Sequence, residues 1–210
     1  MNLYMLRHGQ TPASRENVFS GSIDPPLTDV GLAMAEAFAH AYAHIAWNAF
    51  YCSPMLRTRQ TLAPLAQLTG IEPMLEDGLR ELHYGEWEGM KQDEVKARWP
   101  DAFAYWAADP ASRGTPGGET AFHVAARAMT VIEAIRSRHR DGNILIVSHK
   151  ATLRIIACAL LGIDVRRYRD RIAQPVAAVS LYEMKVTGPL VHFTNDRAHL
   201  SPELRNAEGT

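Results

Sequence analysis

Leu3-Tyr4-Met5-Leu6-Arg7-His8-Gly9-Gln10-Thr11 lies at the start of the chain, and it changes from apolar to polar in the middle. The four apolar residues are typical of a buried strand, and the polar run begins where that strand ends. In α/β proteins, ligands bind at the loops that follow the carboxyl ends of strands. An arginine beside a histidine there combines a permanent cation with a nucleophile or proton carrier. This stretch therefore predicts an α/β fold with phosphate chemistry at its strand ends.

The same arrangement recurs twice further along the chain. Residues 144–147 form a continuous apolar run, as in the buried strands of parallel sheets, and His149 follows two residues later. Residues 49–52 are a second apolar run, and Arg57 comes in the first turn of the helix expected after it. Because the carboxyl ends of parallel strands share one edge, we expect these groups to join Arg7 and His8 around one dianionic phosphate.

Strands alternate with helices along the rest of the chain. Further strands are expected at residues 71–75, 178–184 and 190–193, and helices from Thr28 to near Trp47 and at residues 54–69, 119–140 and 152–161. Ser53 is expected to cap the second helix, and Phe122 to lie on the apolar face of the third. The tail after His199 is polar enough to be loosely ordered.

This alternation predicts a three-layer α/β/α sandwich with a mostly parallel central sheet. The length fits a single domain over residues 1–210. Proline and glycine interrupt a helical and loop excursion at about residues 90–118, which is a candidate cover for the active site.

Composition excludes several classes of partner. A net charge of −1 with 47% apolar residues is ordinary for a globular protein. The basic run at residues 166–171 lacks the interleaved aromatic pattern of nucleic-acid binders, so we interpret it as a solvated face and expect no nucleic-acid partner. Cys52 and Cys158 lie in apolar runs and are expected to be buried thiols. No signal peptide or membrane-spanning run is evident, which favours a cytoplasmic protein without a membrane partner.

Metal and nucleotide chemistry also lack support in the sequence. His40 and His44 have the i, i+4 spacing of ligands on a helix, but no third ligand follows at a suitable spacing. The glycine-rich phosphate loop and the dinucleotide fingerprint are both missing from the sequence. We therefore expect no metal and no cofactor.

Five segments occur in an order that resembles a known family. They are Arg7-His8-Gly9-Gln10-Thr11; Asn17, Phe19, Gly21, Asp24, Leu27, Thr28 and Gly31; Ser53-Pro54-Met55-Leu56-Arg57-Thr58-Arg59-Gln60-Thr61; Leu79-Arg80-Glu81 with Gly85-Glu86-Trp87-Glu88-Gly89; and Val147-Ser148-His149. Together they resemble the histidine phosphatase superfamily, phosphoglycerate mutase-like branch, over roughly residues 3 to 185. The resemblance implies the three-layer α/β/α sandwich of phosphoglycerate mutase-like proteins, and it is compatible with a homodimer.

The resemblance also implies a role for each matching residue. His8 would be the nucleophile that becomes phosphohistidine, and Arg7, Arg57 and His149 would hold the transferred phosphoryl group. Glu81 would serve as general acid and then as base. Glu86 and Glu88 are neighbouring carboxylates that could share this last task.

Departures from the family pattern bear on the activity. Mutases of this branch usually carry Trp-Asn where this chain has Ala13-Ser14, and an arginine where it has Leu82. Their additional lysine and paired arginines have no evident counterparts at residues 91–118. We therefore expect a metal-independent phosphomonoesterase acting on a small phosphorylated metabolite. A cofactor-dependent phosphoglycerate mutase and a non-catalytic phospho-ligand-binding module are the alternatives.

Five residues are candidates for binding the substrate beyond its phosphoryl group. They are Ser14, Asn17, Ser20, Gly21 and Lys150. Lys150 stands where the family commonly has glycine, so its ammonium group is a candidate for reading a substrate carboxylate or second phosphate. The alternative is that Lys150 points to solvent and that only its backbone amide matters.

Overall fold

A six-stranded sheet with strand order β3-β2-β4-β1-β5-β6 forms the centre of the molecule. The structure is a computed structural model that describes residues 1–209. Its strands are β1 (Asn2–Arg7), β2 (Trp47–Cys52), β3 (Met74–Leu75), β4 (Asn143–Ser148), β5 (Val179–Lys185) and β6 (Gly188–Asp196). The first four pair in parallel, whereas β5 is antiparallel to both β1 and β6. The expected mostly parallel sheet is confirmed.

Helices cover both faces of this sheet. They are α1 (Pro12–Arg15), α2 (Asp29–Tyr42), α3 (Leu56–Thr69), α4 (Gln92–Arg98), α5 (Pro100–Ala108), α6 (Ala121–Arg138), α7 (Lys150–Leu161), α8 (Tyr168–Arg171) and α9 (Pro202–Asn206). Short 3-10 turns occupy Asp77–Leu79, Gly85–Trp87 and Val165–Arg167. No helix within residues 1–209 is long and apolar enough to cross a membrane.

The period-two alternation of β1 explains the three layers. Leu3 and Met5 point to one face of the sheet and pack in a cluster with residues of α6 and α7. Leu6 points to the other face and packs with residues of α2 and α3. Burying each such side chain contributes about 1.5 to 3 kcal/mol, so a one-residue slip of the register would expose a full row of them. The predicted α/β/α sandwich is confirmed.

Strand register brings the chemistry-bearing residues to one edge of the sheet. Arg7 pairs with Ser148 at the carboxyl ends of β1 and β4, so His8 and His149 emerge side by side. The β2 strand pairs in parallel with the other side of β4, and the Ser53 N–H donates to the Val147 carbonyl. The expectation that the carboxyl ends of these strands share one edge is confirmed.

The loop after β1 is held against α2 by close backbone contact. A Cβ on Gly9 would lie 2.6 Å from the Gly31 carbonyl oxygen, so only glycine allows this approach. Thr28 caps α2 by accepting from the Gly31 N–H, and its hydroxyl contacts Gln10 Oε1 at 2.6 Å. Residues shared with the family motifs thus fix the position of the loop that carries His8.

Two of the differences between predicted and observed helix boundaries have a clear cause in the contacts. The α2 helix ends at Tyr42, not near Trp47, because Trp47 begins β2 and its indole N–H donates to the Tyr42 carbonyl. The α3 helix begins at Leu56 without a cap from Ser53. The carboxylate of Asp24, 32 residues earlier in the chain, accepts from the Leu56 N–H instead.

Two other predictions about exposure and order are wrong. The described tail, residues 200–209, is tied to the domain, because Leu200 is buried against Met34 and α9 follows with Ser201 as its cap. Phe122 lies in the first turn of α6 and is 48% exposed, outside the apolar face that faces the sheet. Cys52 and Cys158 are buried free thiols as expected.

Candidate active site

His8 is buried at the end of β1 with one ring nitrogen held by the backbone. Its Nδ1 lies 2.8 Å from the Gly9 carbonyl oxygen. Because a carbonyl only accepts, Nδ1 carries the proton and Nε2 keeps its lone pair. Burial, reinforced by the neighbouring Arg57 and Arg7, lowers the pKa of His8 well below its ordinary value. The imidazole is therefore neutral at physiological pH and able to attack.

Two buried arginines flank His8. The Arg7 guanidinium donates to the Gln174 carbonyl at 2.6 Å, and burial lowers its pKa to about 9, which still leaves it charged at neutral pH. Arg57 directs its donors to the carbonyl oxygens of Ser20, Gly21 and Ile23, to Asp24 and to His149. Its contact with the Ser20 carbonyl, at 3.3 Å, is the longest of the five, and those with Gly21 and Asp24 are 3.2 Å. A phosphate oxygen is a stronger acceptor than the neutral carbonyl groups of Ser20 and Gly21 and could replace them.

His149 lies behind Arg57 instead of opening onto the cavity. Its Nδ1 accepts from Arg57 Nε at 3.1 Å, so Nε2 carries the proton and donates to Ser53 Oγ at 2.8 Å. Burial and the nearby cations lower the pKa of His149 well below its ordinary value, which favours this neutral form. The structure therefore brings His149 next to Arg57 and 5.3 Å from His8 between ring centres, with its two ring nitrogens bonded to Arg57 and Ser53.

Glu81 lies at the amino end of α7. Its carboxylate accepts from the N–H groups of Ala151 and Thr152, both at 3.1 Å, and from the Thr152 hydroxyl at 3.2 Å. A helix amino terminus offers such unpaired N–H groups and a favourable dipole to an anion. The carboxyl group is thereby fixed in the wall of the cavity that also contains His8.

The neighbouring carboxylates are placed differently. Glu88 accepts from four backbone N–H groups, those of Gly21, Ser22, Ile23 and Tyr84, at 2.9 to 3.3 Å. It therefore fixes the loop whose carbonyl groups hold Arg57. Glu86 is exposed, and neither Glu86 nor Glu88 is among the described residues that line the cavity.

The cavity above His8 has a volume of about 150 Å³, and its lining carries more positive than negative charge. Five basic side chains line it, namely Arg7, Arg57, Lys150, Arg154 and Arg169. Glu81 is the one carboxylate among the described lining residues. Such a lining binds anions, and the small volume favours a metabolite over a macromolecule. No group of three potential metal ligands occurs within residues 1–209.

Four of the five predicted substrate contacts lie at this cavity. Ser14, Asn17, Ser20 and Lys150 line it, whereas Gly21 does not. The Ser14 hydroxyl is already bonded to Thr11 in a capping box, so a ligand would compete with the first turn of α1 for it. Lys150 is half-buried, and its pKa falls to about 7 through burial and the nearby Arg7 and Arg154. It therefore does not simply point to solvent.

Two cations of the cavity were missed by the sequence analysis. Arg154 is one helical turn after Lys150 on α7. The i, i+4 spacing of the two residues places them on the same helix face, and this spacing could have identified Arg154 from the sequence. Arg169 belongs to the basic run expected to be a solvated face, and that interpretation is wrong for it. Its guanidinium lies 4.0 Å from the ring centre of Trp106, which α5 brings over the cavity. Arg166 and Arg167 are exposed, as predicted, and pair with nearby aspartates.

Comparison with known proteins agrees with this geometry. The profile of the histidine phosphatase superfamily (branch 1) matches residues 3–197. Phosphoserine phosphatase 1 of Hydrogenobacter thermophilus is 30% identical over 168 residues, which cover 80% of each chain. A 2,3-bisphosphoglycerate-dependent phosphoglycerate mutase of Methylobacterium radiotolerans is 31% identical over 179 residues, covering 80% of this chain and 82% of the mutase.

A solved structure shows the same fold. YhfR of Bacillus stearothermophilus superposes with a TM-score of 0.88 at 26% identity, over 95% of this chain and 99% of the other. The matched residues 3–197 contain the Arg7-His8 pair, Arg57 and His149, which the fold brings together at one edge of the sheet. The chain therefore belongs to the histidine phosphatase superfamily, branch 1, and is an enzyme of the phosphatase type.

Proposed function

We propose that this protein hydrolyses phosphomonoesters of small metabolites through a phosphohistidine formed on His8, without a metal ion. The observation that carries the proposal is the neutral imidazole of His8, whose Nδ1 is bonded to Gly9 and whose Nε2 keeps its lone pair. Arg7 and Arg57 lie on either side and neutralise the charge that a metal ion would otherwise offset. A nucleophile between fixed cations matches what phosphoryl transfer requires.

In the first step, Nε2 of His8 attacks the phosphorus atom. The N–P bond forms as the ester P–O bond breaks, and Glu81 gives a proton to the leaving oxygen. Arg7 and Arg57 hold the phosphoryl oxygens during the transfer, and His149 positions Arg57 through the Nε contact. His149 is thus a positioning residue in this scheme.

In the second step, water hydrolyses the phosphohistidine. Glu81 removes a proton from the attacking water, the N–P bond breaks, and inorganic phosphate leaves with His8 neutral again. The single carboxylate in the described lining supports one group serving in both steps, first as acid and then as base.

A phosphoglycerate mutase reaction is the second candidate, and the cationic lining is the observation that favours it. Mutases of this branch carry an additional lysine and paired arginines in the segment that corresponds to residues 91–118. No basic side chain of that segment lines the cavity here. Lys150, Arg154 and Arg169 supply comparable charge from α7 and α8, however. The missing cations of residues 91–118 therefore do not by themselves favour hydrolysis.

The test is phosphate release from a panel of phosphomonoesters, measured with a chelator present. We expect release to continue with chelator, and a base-stable, acid-labile phosphoryl group to appear on the protein during turnover. His8→Ala should abolish both, whereas His40→Ala, at an exposed position on α2, should change neither. Loss of activity with chelator, or full activity of His8→Ala, would contradict the proposal. Exchange of phosphoryl groups between positions of phosphoglycerate without release would assign the mutase reaction.

A further inference from the structure

Three cations of the cavity have no anionic partner in the described part of the protein. Lys150, Arg154 and Arg169 line the cavity beside Arg7, and none of them forms an ion pair within residues 1–209. Arg154 Nε is buried and has no hydrogen-bond acceptor there. By contrast, Arg166 and Arg167, close to Arg169 in the chain, are paired with Asp164 and Asp170.

Burying unpaired cations together is costly unless something else supplies the opposite charge. The three side chains and Arg7 repel one another, and this repulsion adds to burial in lowering the pKa of Lys150 to about 7. Glu81 is the carboxylate among the described lining residues, and its oxygens already accept from the amino end of α7. A bound anion would satisfy these cations.

The phosphoryl group that His8 receives does not need all of this charge. Arg7 and Arg57 flank His8 from β1 and α3, whereas Lys150 and Arg154 are one turn apart on α7 and Arg169 comes from α8. The cavity is large enough for only a small molecule, so a second anion would belong to the same molecule as the phosphoryl group.

We propose that Lys150, Arg154 and Arg169 form a subsite for a second anionic group of the substrate, a carboxylate or a second phosphate. The inference rests on the proposed phosphatase function and names its substrate class, small phosphomonoesters with another anion. Arg154 is the main residue of the subsite, because its guanidinium matches both groups and its buried Nε has no hydrogen-bond acceptor among the described residues. Arg169 is held in place by the Trp106 ring.

Substrates that differ at one group test the proposal. 3-Phosphoglycerate and glycerol 3-phosphate differ only by a carboxylate in place of a hydroxymethyl group. Fructose 1,6-bisphosphate and fructose 6-phosphate differ by a second phosphate. We expect kcat/KM to favour the more anionic member of at least one pair by about tenfold or more, as one charged hydrogen bond would give. The preferred pair identifies the carboxylate or the phosphate as the second anion.

Variants then assign the preference to the subsite. Arg154→Gln and Arg169→Gln should each reduce the ratio of kcat/KM within the preferred pair several-fold, and the triple variant that also carries Lys150→Gln should bring it near one. Arg167→Gln, at an exposed residue of the same basic run, is the matched control and should leave the ratio unchanged.

Two results would overturn the subsite. One is equal kcat/KM within both pairs, and the other is a preference that survives in the triple variant. Failure of the phosphatase proposal is recognised separately, because glycerol 3-phosphate and fructose 6-phosphate would then also release no phosphate and no phosphohistidine would form.

Discussion

Glu81 and Glu88 show how position divides two nearby carboxylates between different tasks. Glu81 borders the cavity, whereas Glu88 is occupied by four backbone N–H groups. We expect Glu81→Gln to lower kcat/KM on alkyl phosphates by about 10²-fold or more, the usual contribution of a general acid. The ratio kcat/KM reports the transfer to His8 and not the later hydrolysis, in which Glu81 also acts. The loss on 4-nitrophenyl phosphate should be much smaller, because that leaving group needs no proton.

Glu88→Gln provides the contrast for this measurement. It disturbs the loop that holds Arg57, so it should slow both classes of ester by a similar factor. Equal losses on both esters in Glu81→Gln would remove Glu81 from the acid role.

Lys150 makes substrate preference depend on pH. Burial and the nearby Arg7 and Arg154 lower its pKa to about 7, so the ammonium is charged below pH 7 and neutral above it. We expect the ratio of kcat/KM for 3-phosphoglycerate over glycerol 3-phosphate to fall as pH rises from 6 to 8. Both substrates carry the same phosphate titration, which cancels in the ratio. Lys150→Arg keeps its charge and should hold the ratio constant, and a ratio that falls equally in this variant would assign the effect elsewhere.

At the scale of elements, α6 holds the loop that carries Glu81. Arg127 donates to the carbonyl oxygens of Gly78, Arg80 and Glu81 at 2.7 to 3.0 Å and to the carboxylate of Glu119 at 2.9 Å. Burial acts to raise the pKa of Glu119, but hydrogen bonds from Arg127 and the His83 N–H outweigh it and the pKa is lowered. This charged pair ties the loop to the helix on both sides of the acid.

We expect Arg127→Lys to reduce kcat about tenfold with little change in KM, because a lysine cannot replace the forked donor set. The loss should be larger on alkyl phosphates than on 4-nitrophenyl phosphate, since Arg127 acts through Glu81. Arg136→Lys changes an exposed ion pair on the same helix and should have no effect. A uniform loss in kcat on both esters would mean that Arg127 only stabilises the fold.

The sequence predicts the strands and their pairing, but it does not predict contacts between distant segments of the chain. Apolar runs and the residues directly after them predicted the parallel sheet and the meeting of His8 with His149, because both depend on local pattern and strand pairing. The cap of α3 by Asp24 and the placement of Arg169 over Trp106 depend on contacts between segments far apart in the chain. No local pattern encodes such contacts. The neutral state of His8 likewise follows from burial, which only the packed structure gives.

For the whole molecule, buried neutral histidines set the response to acid. His199 lies against the rings of Phe38 and Tyr42, both its ring nitrogens are buried without a partner in residues 1–209, and burial lowers its pKa to about 4. His8 and His149 are shifted in the same direction. Between pH 6.5 and 4 the unfolded chain therefore binds more protons than the folded one, so the free energy of unfolding falls as pH falls.

We expect the thermal midpoint to drop steadily from pH 7 to pH 4.5, and to drop less in His199→Phe, which keeps the aromatic packing and removes one titration. His44→Gln changes an exposed histidine and should follow the wild type. The measurement is thermal unfolding by circular dichroism across this pH range. An identical drop in His199→Phe and wild type would show that His199 does not contribute to the acid response.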